Sequence, residues 1–359
     1  MPYPRSFASR AKLWVKGVLD STARGVGDGV PDRESNRAIA LLGILLPRPR
    51  SFASRAKLVG QGSPRLPCRG VGDGVPDKKG KTKINGGYAM LIGASTRSFG
   101  GMSVQKVAEI FSESGLSCAE LCFCQSELSG WKYNLCGYEP LPCAEGVLNA
   151  VEVFRSYGIN VSALGVYNCF WSGTVSEISD SFRLFSEYCA LAESCNIKML
   201  ATHGGALTAR PFSRDSGYFY RKLCDGFVYA CIEAEKRGLT VAVEYGPGDA
   251  IENSGDYYDL VRYVKGSLGR ANMLKCIRTP VLDAEGLSDS DISLFHIKDR
   301  KTDGRYYERF GDGNCDFSAF FDTAEKNPDI PLIFEYINAQ NIQRTVREFK
   351  NAMNIFCKK

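Results

Sequence analysis

The chain has 359 residues, 44% hydrophobic and 24% charged, a balance that belongs to globular rather than disordered chains. No apolar run reaches the ~20 residues a membrane helix needs, since the longest, Ile39 to Leu46, is short and contains Gly43. The formal charge of +5 is unevenly spread: residues 1–89 hold 17 Lys and Arg against 6 Asp and Glu, whereas 90–359 hold 28 against 34. The basic character therefore belongs to the N-terminal stretch and implies no nucleic-acid affinity in the rest.

That stretch contains a repeat. Pro-Arg-Ser-Phe-Ala-Ser-Arg-Ala-Lys-Leu occurs at 4–13 and 49–58, and Arg-Gly-Val-Gly-Asp-Gly-Val-Pro-Asp at 24–32 and 69–77. Two copies rich in Gly, Pro, Arg and Ser, with unlike sequence between the matches, do not make a solenoid, which needs about three stacked units. Residues 1–84 are expected to form a basic, disordered extension, or to lie upstream of a functional start at Met90. Residues 85–359 form the expected folded domain.

From Met90 the pattern becomes regular. Met90 to Ser95 reads as a first strand. Val104 to Ser114 is helical, with Val104, Val107, Ala108 and Phe111 on one face. Cys118 to Phe123 is a second strand, Ala144 to Tyr157 a helix closed by Gly158, Asn160 to Tyr167 a third strand and Val175 to Ser194 a long amphipathic helix. Lys198 to Gly205 is a fourth strand and turn, and Arg214 to Arg237 a helix closed by Gly238. Thr240 to Gly246 is a fifth strand, and Tyr257 to Leu268 a helix closed by Gly269. Asn272 to Ile277 is a sixth strand, separated by only a short stretch around Asp283 to Ser290 from a seventh, Ile292 to Asp299. A helix over Phe317 to Lys326, an eighth strand over Pro331 to Ile337 and a helix over Ile342 to Phe356 complete the chain.

Strict alternation of this kind demands parallel strands with right-handed crossovers. Eight strand–helix units in this length predict a (β/α)8 TIM barrel rather than an open sheet. The turn after the first strand, Ala94-Ser-Thr-Arg-Ser-Phe-Gly-Gly, lacks the G-x-G-x-x-G spacing of a dinucleotide fold.

Barrel strands are covered on both faces and should be apolar throughout. Four break this rule late in their course: His203, Glu244, His296 and Glu335. Late positions lie at the C-terminal mouth, where barrel active sites are built. Two carboxylates and an imidazole there make a set for a hard cation, and the carboxylates could also move protons. Lys298 shares the face of His296 by two-residue alternation. Glu120 breaks the second strand in the same way, as a structural ion pair or a substrate contact. Cys118, Cys122 and Cys124 lie nearby, and alternation along a buried strand explains two of them as small core residues. The 14 Cys include no C-x-x-C pair and no secretory segment precedes them, so reduced thiols and a cytoplasmic location are expected. With His203 and His296 the sole histidines, no site of three histidines can form.

Gly115-Leu-Ser-Cys-Ala-Glu-Leu, Gly158-Ile-Asn-Val-Ser-Ala-Leu-Gly, Ala201-Thr-His-Gly-Gly, Thr240-Val-Ala-Val-Glu, Phe295-His-Ile-Lys-Asp, Phe310-Gly-Asp-Gly-Asn-Cys-Asp-Phe and Pro331-Leu-Ile-Phe-Glu, in this order and spacing, resemble the xylose isomerase-like TIM-barrel family of sugar phosphate isomerases and epimerases. The resemblance implies a divalent metal (Mn, Mg, Co or Zn) held by Glu244, His296 and Glu335 together with an Asp from the sixth strand. It implies further that the two Glu flank a substrate carbon and pass its proton through an enediolate; His203, Lys298, Arg278 and Glu120 are the candidate substrate contacts beside them. At the sixth strand the sequence departs: Arg278 stands where the family has Asp, and Asp283, five residues on, is the candidate to reach back. Three states of the metal site are therefore open: weakened, rebuilt or lost. The expected function is a metal-dependent isomerase or epimerase of a sugar or sugar derivative in carbohydrate metabolism. Its alternatives are an inosose-type dehydratase and a non-catalytic sugar-binding barrel. The expected partner is a small-molecule sugar, with no nucleic acid and no membrane; a homo-oligomer is compatible with all of these.

Overall fold

A computed structural model describes residues 83–84, 87–88, 90–99, 102–125, 144–167, 175–205, 217–246, 248–279, 287, 291–300, 306–307 and 310–356. The chain divides into two units, Met1–Ala89 and Met90–Lys359. In the first, Lys83–Ile84 pairs antiparallel with Gly87–Tyr88; the expected extension over 1–84 otherwise falls outside the described residues.

The second unit is a closed parallel barrel. Its strands are β1 (Ile92–Ser95), β2 (Cys118–Gln125), β3 (Asn160–Tyr167), β4 (Met199–His203), β5 (Thr240–Tyr245), β6 (Met273–Arg278), β7 (Ile292–Ile297) and β8 (Leu332–Phe334). They pair in sequence order, and β8 closes the ring by pairing with both β7 and β1, Leu332 standing opposite Phe295 and Ile92. Around them run α1 (Val104–Glu113), α2 (Ala144–Ser156), α3 (Val175–Ser194), α4 (Gly217–Glu235), α5 (Ser254–Leu268), α6 (Ser318–Lys326) and α7 (Ile342–Phe356). Among the described residues seven α-helices surround the strands, and none of them lies between β6 and β7.

Local chemistry explains the element ends. Ser103 caps α1 by accepting the Lys106 N–H, and the expected stripe Val104, Val107, Ala108 and Phe111 is buried. Asn253 caps α5 in the same way through the Asp256 N–H, and Gly269, at φ 81°, ends it in the left-handed conformation. Inside the barrel a layer of mostly small side chains packs together: Cys118, Cys122, Ala163, Ala201, Ala242 and Cys276, closed by Tyr167, Leu294 and Ile333. Burial pushes the Cys118 thiol up to about 12 and the Cys276 thiol up to about 11, as expected of inert core sulfurs. Cys118, Cys122, Cys189, Cys195, Cys224, Cys231, Cys276 and Cys315 are free thiols. No described helix is long and apolar enough to cross a membrane.

Candidate functional site

The charges that interrupt the strands meet at one end of the barrel. Glu244 lies on β5, His296 on β7, Glu335 one residue beyond β8 and Glu120 on β2, and all four are buried. The pairing of β2 with β3 shifts register between Ala119 and Glu120, an irregularity of the kind that re-aims a side chain. Gly165 on β3 leaves the room: a Cβ there would fall 2.8 Å from Glu120 Oε1.

His296 is held from both sides. Its Nδ1 lies 3.0 Å from Glu244 Oε2 and 3.5 Å from Glu335 Oε2, and its Nε2 lies 2.8 Å from Glu120 Oε2. Glu120 also accepts the Tyr167 hydroxyl at 2.7 Å. Lys298, one residue beyond β7, donates to Glu244 Oε1 at 2.6 Å and pairs with Glu335 Oε2, also at 2.6 Å. Arg278 ends β6 opposite His296. Its guanidinium lies 3.7 Å from Glu244 Oε1 and 3.1 Å from Asp249 Oδ2. On the far side Arg97 lies 3.5 Å from Glu335 Oε1 and over the Tyr336 ring. His203, opposite Glu244 on β4, places Nδ1 3.8 Å from Glu244 Oε2 and packs on Tyr167 with ring centroids 4.6 Å apart.

These contacts set the charges. Burial opposes the ionised form of Glu244, but Lys298 and His296 outweigh it and hold the carboxyl well below its usual range. Glu335 is lowered by the same balance, with Arg97 assisting. Burial would pull His296 and Lys298 down, yet their acidic neighbours, and for His296 also Cys276, raise both above their ordinary values. For Asp249 burial wins over Arg278, and its carboxyl is pushed up to about 6.

The donor set suits a hard divalent ion. One ligand atom from each of Glu244, His296 and Glu335 falls within 4.8 Å of the others. With Nε2–H given to Glu120, His296 would turn the lone pair of Nδ1 toward both glutamates, the carboxylate–histidine support that metal-binding histidines commonly have. Arg278, at the end of β6, brings a guanidinium beside Glu244, and Asp283, the residue expected to reach back, lies outside the described residues. The arrangement offers a three-donor metal site, a pair of buried carboxylates fit for proton transfer, and a ring of cations fit for an oxygen-rich substrate.

Residues 108–354 match the family described as xylose isomerase-like TIM barrel. The chain belongs to the xylose isomerase-like TIM-barrel family. No protein of curated function matches it in sequence. Solved structures of the same fold include the IOLI protein with a binding zinc atom (14% identity, TM-score 0.55, covering 74% of this chain and 98% of that one). Another is 3-keto-D-glucoside 4-epimerase, YcjR, from E. coli (14%, 0.54, 74% and 99%). A third is the probable 3-DHS dehydratase AsbF from Bacillus anthracis (10%, 0.55, 73% and 99%). At these identities the likeness is one of fold.

Arg97, Tyr167, Asp249 and Tyr336 belong to the site but were not candidates from sequence. Arg97 follows an apolar strand by two residues, and Asp249 follows β5 in Gly-Pro-Gly-Asp; a search for charges just beyond strand ends would have found both.

Proposed function

We propose that this protein is an isomerase or epimerase of a sugar or sugar derivative, with Glu244 and Glu335 exchanging the proton on a carbon next to a carbonyl. The observation that carries this reading is the pair of buried carboxylates on β5 and after β8, kept ionised by one shared ammonium 2.6 Å from each. An ionised carboxylate is in the form that accepts a proton, at a basicity the shared ammonium lowers until that ammonium turns to negative charge on the substrate, and a second one across the substrate returns the proton on the same or the neighbouring carbon. A divalent ion held by Glu244, His296 and Glu335 would polarise the carbonyl and stabilise the enediolate. Glu120 orients the His296 ring, Lys298 and Arg278 supply positive charge for developing negative charge on oxygen, and the His203–Tyr167 pair offers a polar and apolar wall for the sugar ring. Lys298 also favours a second reading: an ammonium beside the base could protonate a departing hydroxyl, which turns the same proton abstraction into a dehydration.

The test is solvent exchange. A panel of ketoses, sugar phosphates and inososes in deuterated buffer, with and without Mn2+, should show deuterium entering the carbon next to the carbonyl. Glu244→Gln and Glu335→Gln keep shape but remove basicity, and each should slow exchange by roughly 10²–10⁴-fold. Exchange at the wild-type rate in both variants removes the assignment. An unsaturated product identifies the dehydratase. Binding of a sugar without exchange identifies a non-catalytic barrel.

A further inference from the structure

Lys298 holds the two carboxylates that a metal would need. Its Nζ is 2.6 Å from Glu244 Oε1 and 2.6 Å from Glu335 Oε2. Glu335 Oε2 also lies 3.5 Å from His296 Nδ1. The oxygen that would complete a Glu244–His296–Glu335 ligand set is thus the one already in contact with an ammonium. A second permanent cation leans the same way. Arg278 lies 3.7 Å from Glu244 Oε1, the oxygen that Lys298 also holds, and Asp249 anchors it at 3.1 Å. Its seat is prepared by the backbone: Gly246 has φ 154°, and a Cβ there would fall 2.5 Å from Arg278 Nε. Like charges at such distances in a buried site repel strongly.

We propose that Lys298 is an internal competitor for the metal: its ammonium and a divalent ion occupy the Glu244–Glu335 pair in mutual exclusion, and Arg278 biases the pair toward the ammonium. The inference rests on the reading of Glu244 and Glu335 as the working carboxylates. It makes the loaded site conditional on withdrawal of Lys298, so the ion binds more weakly than its three donors alone would allow.

The experiment is Mn2+ binding in the absence of substrate, by titration calorimetry on the full chain. Lys298→Met removes the charge and keeps most of the length, and should bind Mn2+ roughly 10–100-fold more tightly than the wild type. Arg278→Met should give a smaller gain in the same direction, and Lys298→Arg, which restores a cation, should return affinity to near the wild-type value. Unchanged or weaker Mn2+ binding by a folded Lys298→Met protein overturns the proposal. Because that variant leaves buried carboxylates without their main partner, a second measurement uses the unaltered chain. In crystals of wild-type protein with Mn2+ bound, Lys298 Nζ should have left Glu335 Oε2. An ion bound beside a Lys298 still bridging both carboxylates overturns it as well. Neither readout depends on turnover. A failure of the proton-transfer reading, seen as unaltered exchange in the Gln variants, is therefore distinguishable from a failure of this one.

Discussion

Asp249 is a buried carboxyl whose surroundings do not fully compensate its charge. Burial pushes it up to about 6 even though Arg278 is 3.1 Å away, against about 3.9 in an unfolded chain. Between these two values the folded protein holds a proton that the unfolded chain has released, so stability falls as pH rises. The contribution of Asp249 is thus complete below about pH 4 and lost as pH passes 6. Asp249→Asn cannot titrate. Urea midpoints of wild type and variant, compared from pH 4 to 7, should show the wild type losing stability relative to the variant across that window. A constant difference would mean that Asp249 ionises normally in the fold. The same residue shows what the sequence could and could not reveal about the site. Glu120, His203, Glu244, His296 and Glu335 each interrupt or end an apolar strand, where a charge has no cheap structural reason to be. Asp249, Arg97 and Tyr336 stand beyond strand ends, where polar residues are ordinary, and Tyr167 closes a buried strand as any core aromatic might. Lys298 was legible through alternation with His296, but its bridge between two carboxylates depends on where a four-carbon side chain comes to rest.

At the level of elements, the site depends on how the ends of β6 and β7 are tied. The Thr279 hydroxyl accepts the Lys298 N–H at 2.7 Å and donates to the Lys298 carbonyl, fixing the backbone from which the ammonium extends. Just beyond, the buried Asp299 carboxylate accepts the N–H groups of Arg300, Gly311 and Gly313 at 2.8–2.9 Å. It thereby gathers the Phe310-Gly-Asp-Gly stretch against the end of β7. Asp299→Ala would leave three backbone donors without their acceptor and should cost about 3 kcal/mol, read as a lower urea midpoint, whereas Asp299→Asn, keeping one acceptor oxygen, should lose less. Equal stability of Asp299→Ala and wild type would show that water replaces the carboxylate freely. Element bounds were legible where local chemistry set them. Gly158, Gly238 and Gly269, read as helix ends, all adopt positive φ, which a residue with a Cβ rarely tolerates. They were less legible where a polar cap extends an apolar stripe: α5 begins at Ser254 because Asn253 caps it, three residues before the first apolar residue of the pattern. β8 ends at Phe334, short of the expected Ile337, and Tyr336 at φ 59° turns the chain sharply there. That conformation is uncommon for a bulky residue and sits beside Glu335, where backbone strain is often associated with a working site.

For the whole molecule, the question is what the barrel needs in order to close. The ring is completed by β8, which pairs with β7 on one side and β1 on the other, and the Leu332 N–H bonds to the Leu91 carbonyl just before β1 begins. Every strand pairing of the barrel uses residues from Ile92 onward, and the division of the chain falls between Ala89 and Met90. Residues 1–89 also carry the net positive charge: without them the balance shifts from 45 basic and 40 acidic residues to 28 and 34. We therefore expect a chain beginning at Met90 to fold by itself, with a single cooperative melting transition at the midpoint of the full chain and the same exchange activity on any sugar the full chain accepts. Its acidic balance should lower its isoelectric point and weaken adsorption to polyanions such as heparin, without altering the barrel. The measurement is a pair of thermal melts followed by calorimetry, with heparin retention as the charge control. An insoluble or non-cooperative chain from Met90, beside a full chain that melts cooperatively, would show that the N-terminal unit takes part in folding the barrel after all.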